Sequence, residues 1–164
     1  MGKKSSSVIL ALDISSRSTG YAVLREGTWS GKEGDFGIVT VPAHPVLSRR
    51  LVNFRNEIAT LVRRVKPTHI IIEDVFSGRN VATMKLLARF NGVALEVCRR
   101  LSRRDPQVAL AAVVRAGIGC GRGKEDAFKY VCGLFKLDWS FNKMNDVTDA
   151  LALALYSYKT LNKE

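Results

Sequence analysis

Four acidic side chains lie where apolar segments end or where the last helix is expected to begin. They are Asp13, Glu73, Asp146 and Asp149. The first two directly follow the apolar runs at 8–12 and 70–72, and the last two open the Ala-Leu stretch at 150–155. Carboxylates at the edge of a core are costly unless something neutralises them. In a chain with a net charge of +11, such a cluster suggests a divalent metal ion and hydrolysis of nucleic-acid phosphodiesters.

The expected metal is Mg²⁺, with Mn²⁺ as a substitute, because hard oxygen ligands favour these ions over zinc. Two such ions about 4 Å apart activate water and stabilise the leaving oxygen of an in-line displacement. A plainer explanation exists for the last pair, since Asn145 or Asp146 could cap a helix and acids in a first turn favour its dipole. Capping accounts for one acid but not for four together.

The charge balance points to a polyanionic partner. The chain has 164 residues, with 26 Lys and Arg against 15 Asp and Glu, and a pI near 10. Nucleic acid is the simplest partner, because binding releases condensed counterions. A solvated basic surface or contact with acidic lipid are the alternatives. The length predicts a single domain over 1–164, with 1–7 expected to be flexible.

Three cysteines without metal-ligand spacing predict reduced thiols rather than a zinc site. No stretch has the length of a membrane span, and the basic N-terminus is not followed by a signal-peptide core. We therefore expect a cytoplasmic protein without a membrane partner.

The apolar pattern predicts five strands and four helices. The strands are expected over 8–12, 21–25, 36–41, 68–73 and 108–114, and the helices over 46–65, 81–102, 124–135 and 145–161. Three meandering strands followed by crossover units give an α/β fold, a five-stranded mixed sheet flanked by helices. This is the element order of the ribonuclease H-like fold. The two strand-end acids would then lie at the C-terminal edge of the sheet, where ligands bind.

Four segments of the chain resemble the RuvC family of Holliday junction resolvases. The segment 13–21 is similar to the family's first-strand motif, and 72–80 to its Glu-x-Val-Phe…Asn segment. The segment 117–124 resembles its glycine turn and basic helix, and 146–152 its closing Asp-x-x-Asp-Ala-Leu-Ala. One departure is Ile14-Ser15, where the family usually has Pro-Gly. The short chain, without a basic C-terminal extension, resembles phage-type members.

The resemblance implies a homodimer that binds four-way DNA junctions and nicks two opposed strands symmetrically with Mg²⁺, in a bacterial or phage-infected cell. It implies that the four carboxylates are the metal ligands and that Lys124 contacts the scissile phosphate. Phe76 would stack or wedge at the opened junction centre. The other residues expected to contact DNA are Arg79, Asn80, Lys85 and Arg122.

Several other interpretations are open at this point. The protein could be a broader nuclease of flaps and forks, or a branched-DNA-binding protein without catalysis. Actin-like and sugar-kinase-like ATPases begin with a similar Asp-x-Ser/Gly…Thr-Gly motif, but they need two such domains. Phe76 could be an ordinary core aromatic.

Overall fold

The computed structural model describes residues 6–76, 78 and 80–163, so the predicted DNA contact Arg79 lies outside the described residues. Its strands form one five-stranded sheet in the order β3-β2-β1-β4-β5. The first three strands are antiparallel, whereas β4 and β5 run parallel to β1. The predicted five-stranded mixed sheet is therefore confirmed. The strands are β1 (Val8–Ile14), β2 (Ser18–Arg25), β3 (Phe36–Thr40), β4 (His69–Glu73) and β5 (Gln107–Ala109).

Helices cover both faces of the sheet. Because side chains alternate along a strand, Ile9 and Ala11 pack on one face while Leu10 and Leu12 pack on the other. Helices α1 and α2 cover the face with Leu10, and α3, α4 and α5 cover the face with Ile9. The helices are α1 (Leu47–Val65), α2 (Val81–Ser102), α3 (Ala111–Ile118), α4 (Lys124–Phe135) and α5 (Phe141–Leu161).

The strand predicted over 108–114 is wrong beyond its first residues. Strand β5 ends at Ala109, and helix α3 follows from Ala111. Within this segment Val114 and Ile118 are buried at helical spacing, while Val113 is 47% exposed. A run of apolar residues does not by itself distinguish a buried strand from a short helix.

The start predicted for the last helix is also wrong. Helix α5 begins at Phe141 after Ser140, so its first turn contains no acidic residue. Asp146 therefore lies in the second turn, and neither Asn145 nor Asp146 caps the helix. The capping explanation for this acid is thereby removed.

The remaining sequence expectations concern thiols and membranes. Cys98, Cys120 and Cys132 are free, and burial raises the pKa of the Cys98 thiol to about 12. Among the described residues, no helix is both long enough and apolar enough to cross a membrane.

Candidate active site

Asp13 and Glu73 are brought together by the pairing of their strands. β1 and β4 are parallel neighbours in which Leu12 stands beside Ile72, so the next residues, Asp13 and Glu73, lie at the same level. Asp13 continues the alternation of Ile9 and Ala11, and Glu73 continues that of Ile71. Both carboxylates therefore point to the sheet face covered by α3, α4 and α5.

Gly20 lets α5 approach this edge of the sheet. Gly20 is the cross-strand partner of Asp13 in β2. A β-carbon at Gly20 would clash with the backbone carbonyl of Asp146. The absence of a side chain thus allows α5 to pack directly on the strand beside Asp13, and Asp149 lies one turn further along the helix.

The acids form one electrostatic cluster. Burial raises the pKa of Asp13 well above its usual range, and the charges of Glu73, Asp149 and Asp146 raise it further. Burial and the charge of Asp149 likewise raise the pKa of Glu73. The pKa of Asp149 is raised by burial first and also by Asp146, against the opposing effect of Lys124. Negative charge at this edge is therefore costly without a cation.

Lys124 is in direct contact with the cluster. Its Nζ lies 3.4 Å from Oδ2 of Asp149. Burial alone would lower the pKa of Lys124, but Asp149, Asp13 and Glu73 raise it overall. The residue opens α4 after a turn in which Gly119 and Gly121 have φ of 75° and 96°. These left-handed conformations favour glycine and allow the chain to reverse between α3 and α4.

The donor set fits hard divalent cations. In the described part of the chain, no three Asp, Glu, His or Cys groups are already placed closely enough to hold a metal ion. The pairing of β1 with β4 and the contact of Asp146 with Gly20 nevertheless bring the carboxylates to one edge of the sheet, and their side chains can adjust to a ligand. Carboxylate oxygens gathered at one edge of the sheet are the hard ligands that Mg²⁺ and Mn²⁺ prefer.

Comparison with known proteins places this site in a family. The chain matches the family model of the crossover junction endodeoxyribonuclease RuvC over residues 9–157. The chain belongs to the RuvC family. Proteins of that name from Thermomicrobium roseum and Halorhodospira halophila are 30% and 31% identical to it over 147 and 148 residues. The first alignment covers 90% of both proteins, and the second covers 90% of this chain and 87% of its relative.

Two solved structures have the same fold as this chain. RuvC of T. thermophilus, in complex with a Holliday junction substrate, matches with a TM-score of 0.77 at 17% identity, covering 96% of both chains. The yeast mitochondrial Holliday junction resolvase matches with a TM-score of 0.61 at 12% identity, covering 96% of this chain and 80% of its own. The predicted ribonuclease H-like fold and the predicted RuvC resemblance are confirmed.

The departure from the family's Pro-Gly is accommodated by a serine turn. β1 continues through Ile14, and the Ser15 hydroxyl oxygen accepts hydrogen bonds from the backbone N–H groups of Ser18 at 3.0 Å and Arg17 at 3.4 Å. The hydroxyl thus closes the turn after Asp13 in this RuvC-family chain.

Sequence reasoning missed two residues next to the cluster. Arg115 of α3 lowers the pKa of both Glu73 and Asp149, and its buried Nε has no hydrogen-bond partner among the described residues. Asn91 of α2 is 6% exposed and donates from Nδ2 to the Glu73 carbonyl oxygen at 2.9 Å. The erroneous strand over 108–114 hid Arg115. An amide between the buried residues Phe90 and Ala94 was the signal for Asn91.

The predicted DNA contacts lie in different surroundings. Phe76 is 75% exposed three residues after Glu73, so it is not a core aromatic. Asn80 caps α2 by accepting a hydrogen bond from the N–H of Thr83 at 3.1 Å, and Lys85 is exposed on the same helix. Arg122 lines a cleft of about 620 Å³ together with Arg115.

Proposed function

We propose that this chain is a metal-dependent endonuclease that resolves four-way DNA junctions by paired, symmetric nicks. The observation that carries the proposal is the carboxylate cluster at the sheet edge, with Lys124 against it, in a member of the RuvC family. The net charge of +11 supports a DNA substrate.

In this proposal the metal ligands are Asp13, Glu73, Asp146 and Asp149, with Mg²⁺ as the metal and Mn²⁺ as a substitute. When bound, the ions supply charge stabilisation at the scissile phosphodiester and activate water. Asp146 lies in the second turn of α5 and does not cap the helix, which supports its assignment as a metal ligand.

Lys124 and Arg115 place positive charge next to the carboxylates. Lys124 donates one hydrogen bond to Asp149 in the free protein and can instead donate to a phosphate oxygen as negative charge develops there. Arg115 shares a cleft with Arg122 and Gly121, which gives a DNA backbone a positively charged path to the carboxylates.

Phe76, Asn80 and Lys85 lie on the segment that leads from Glu73 into α2, where an opened junction centre would lie against them. An exposed aromatic ring offers a base a stacking surface. A symmetric junction requires two equivalent active sites, which an isologous homodimer provides.

The test is cleavage of a labelled synthetic four-way junction in Mg²⁺, beside flap and fork substrates. The wild type is expected to make paired nicks in the junction, and Asp13→Asn is expected to bind it without cutting. Asp138→Asn is the matched control, because Asp138 is exposed and does not contribute to the pKa shifts of the cluster. Intact junctions, flaps and forks in both Mg²⁺ and Mn²⁺ would refute catalysis. Preferential cleavage of flaps or forks would identify the broader nuclease.

A further inference from the structure

A second concentration of positive charge lies at the end of the sheet opposite to the carboxylates. Helices α1 and α2 both end here, before the chain enters β4 and β5. β4 has five residues, so this end is roughly 17 Å from Glu73 at about 3.3 Å per residue. The cations are Arg63, Arg64, Lys66, Arg99, Arg100, Arg103 and Arg104.

Four of these cations have partners within the protein. A guanidinium nitrogen of Arg104 lies 3.3 Å from Nε2 of His69. Arg64 donates to the Gly34 carbonyl oxygen at 2.7 Å and to the Tyr21 hydroxyl at 3.2 Å. Arg99 pairs with Asp105 at 2.7 Å. Arg100 pairs with Glu96 at 3.3 Å.

The others leave an excess of positive charge around one cleft. Arg63 and Lys66 from α1, with Leu101 and Ser102 from α2, line a cleft of about 420 Å³. Arg103 is exposed directly after Ser102. Across residues 6–76, 78 and 80–163, no acidic side chain forms an ion pair with Arg63, Lys66 or Arg103.

The helix dipole explains part of this arrangement. Cations in the last turn stabilise a helix, which accounts for Arg63 of α1. Lys66 and Arg103, however, occupy the C-cap positions with left-handed φ of 51° and 60°, where glycine is favoured. Both side chains are exposed and add to the positive charge around the cleft.

We propose that the cleft between the C-terminal ends of α1 and α2 is a second binding surface for the phosphate backbone of duplex DNA, separate from the active site. Exposed Lys and Arg side chains contact phosphates without reading sequence. A branched substrate has several duplex arms, and each presents the same phosphate backbone to such a surface. The choice of a branched-DNA arm rests on the proposed function, but binding to duplex DNA does not require cleavage.

The test compares two triple variants that each remove three positive charges. One carries Arg63→Gln, Lys66→Gln and Arg103→Gln. The control carries Lys32→Gln, Lys136→Gln and Lys163→Gln, which are exposed and outside the cleft, and Lys136 matches Lys66 in its left-handed φ. Fluorescence anisotropy measures binding of a linear duplex of about 30 base pairs, three helical turns, in EDTA over a salt series.

The cleft variant is expected to bind about tenfold more weakly near 0.1 M salt and to lose about 2–3 units of log–log salt slope, at about 0.9 per phosphate contact. The control is expected to change much less, and cleavage of a saturating junction is expected to be the same for both. Equal losses in both variants would overturn the proposal, as would unchanged binding by the cleft variant. If the triple variant fails to fold, Arg63→Gln alone is expected to reduce the slope by about 0.9, and an unchanged slope would overturn the proposal. If the wild type does not cleave junctions but the two triple variants still differ in duplex binding, the nuclease function is refuted and the second binding surface is not.

Discussion

The carbonyl group of Asp146 lies directly over the α-carbon of Gly20, which is the cross-strand partner of Asp13. This contact joins helix α5 to the strand pair that bears the first carboxylate. The Thr-Gly of the first-strand motif therefore has a packing role, since it sets how closely Asp146 and Asp149 approach Asp13.

Gly20→Ala is expected to impair cleavage at least tenfold and to lower the free energy of unfolding by about 1–3 kcal/mol, the usual effect of overpacking. The physical reason is that the new methyl group must push α5 and its two acids away from Asp13. Gly133→Ala in α4 is the control, because a β-carbon there meets nothing within 4 Å and should be neutral or slightly stabilising. Denaturant unfolding and junction cleavage measure both effects. Wild-type cleavage by Gly20→Ala would show that the close contact does not position the acids.

Asp13→Asn is expected to stabilise the metal-free protein at neutral pH. The folded-state pKa values of Asp13 and Glu73 are raised, by burial first and then by neighbouring acids, so folding favours their protonated forms. Metal-free stability from these groups is therefore greatest below their ordinary pKa values and falls as pH rises through the raised folded-state values. Thermal unfolding in EDTA across pH should show a higher melting temperature for the variant and a smaller decline with pH. Mg²⁺ should then stabilise the wild type more than the variant. A lower melting temperature for Asp13→Asn in EDTA would contradict this account.

Much of this architecture could be predicted from the sequence because strong apolar runs were bounded by clear stops. Helix α2 was predicted with the observed bounds between Asn80 and Arg103, and α4 likewise after Gly123. Two buried runs that each end in an acid predicted the sheet edge at which Asp13 and Glu73 lie, and the structure adds that their strands are neighbours.

The wrong predictions fall in segments whose local apolar pattern does not specify the element that tertiary packing selects. The apolar residues around Val113 fit either a strand or a helix, and only packing on α5 selects the helix. The first turn of α5 begins at Phe141, where polar residues separate Phe141, Met144 and Val147, so the sequence suggested a later start. Arg115 and Asn91 could not be assigned to the site for the same reason, since both reach it through tertiary contacts.

Asn91→Leu is expected to lower the free energy of unfolding by about 1–3 kcal/mol, because the Glu73 carbonyl oxygen loses its buried donor. The end of β4 should then be held less firmly, so cleavage at saturating junction should fall more than binding affinity. Asn56→Leu, at an exposed position of α1, should change stability by less than about 0.5 kcal/mol. Urea unfolding with parallel kinetics measures the two effects. Equal stability of Asn91→Leu and the wild type would show that the hydrogen bond contributes nothing.

Lys124→Ala is expected to reduce the single-turnover cleavage rate about 100-fold, the usual scale for removing one transition-state donor. Lys124 also neutralises part of the carboxylate charge, so its loss should lower the Mg²⁺ concentration needed for half-maximal stabilisation of the fold. Lys129→Ala on the exposed side of the same helix is the control and should leave both quantities near wild type. If Lys124→Ala cleaves at the wild-type rate but binds Mg²⁺ more tightly, Lys124 neutralises carboxylate charge and does not stabilise the transition state.

Phe76→Ala is expected to lose junction cleavage by at least tenfold while Mg²⁺ binding and melting temperature stay near wild type. The ring is 75% exposed, so its removal leaves no cavity, whereas one lost base–aromatic stack weakens DNA binding by about 1–3 kcal/mol. Leu134→Ala, which removes a half-exposed apolar side chain from α4, is the control for lost surface hydrophobicity. A fluorescent base analogue at the junction centre should report unstacking with the wild type and much less with Phe76→Ala. Equal cleavage and equal unstacking by the wild type and Phe76→Ala would exclude the wedge role. The ring would then be an exposed aromatic that makes no contact with the junction.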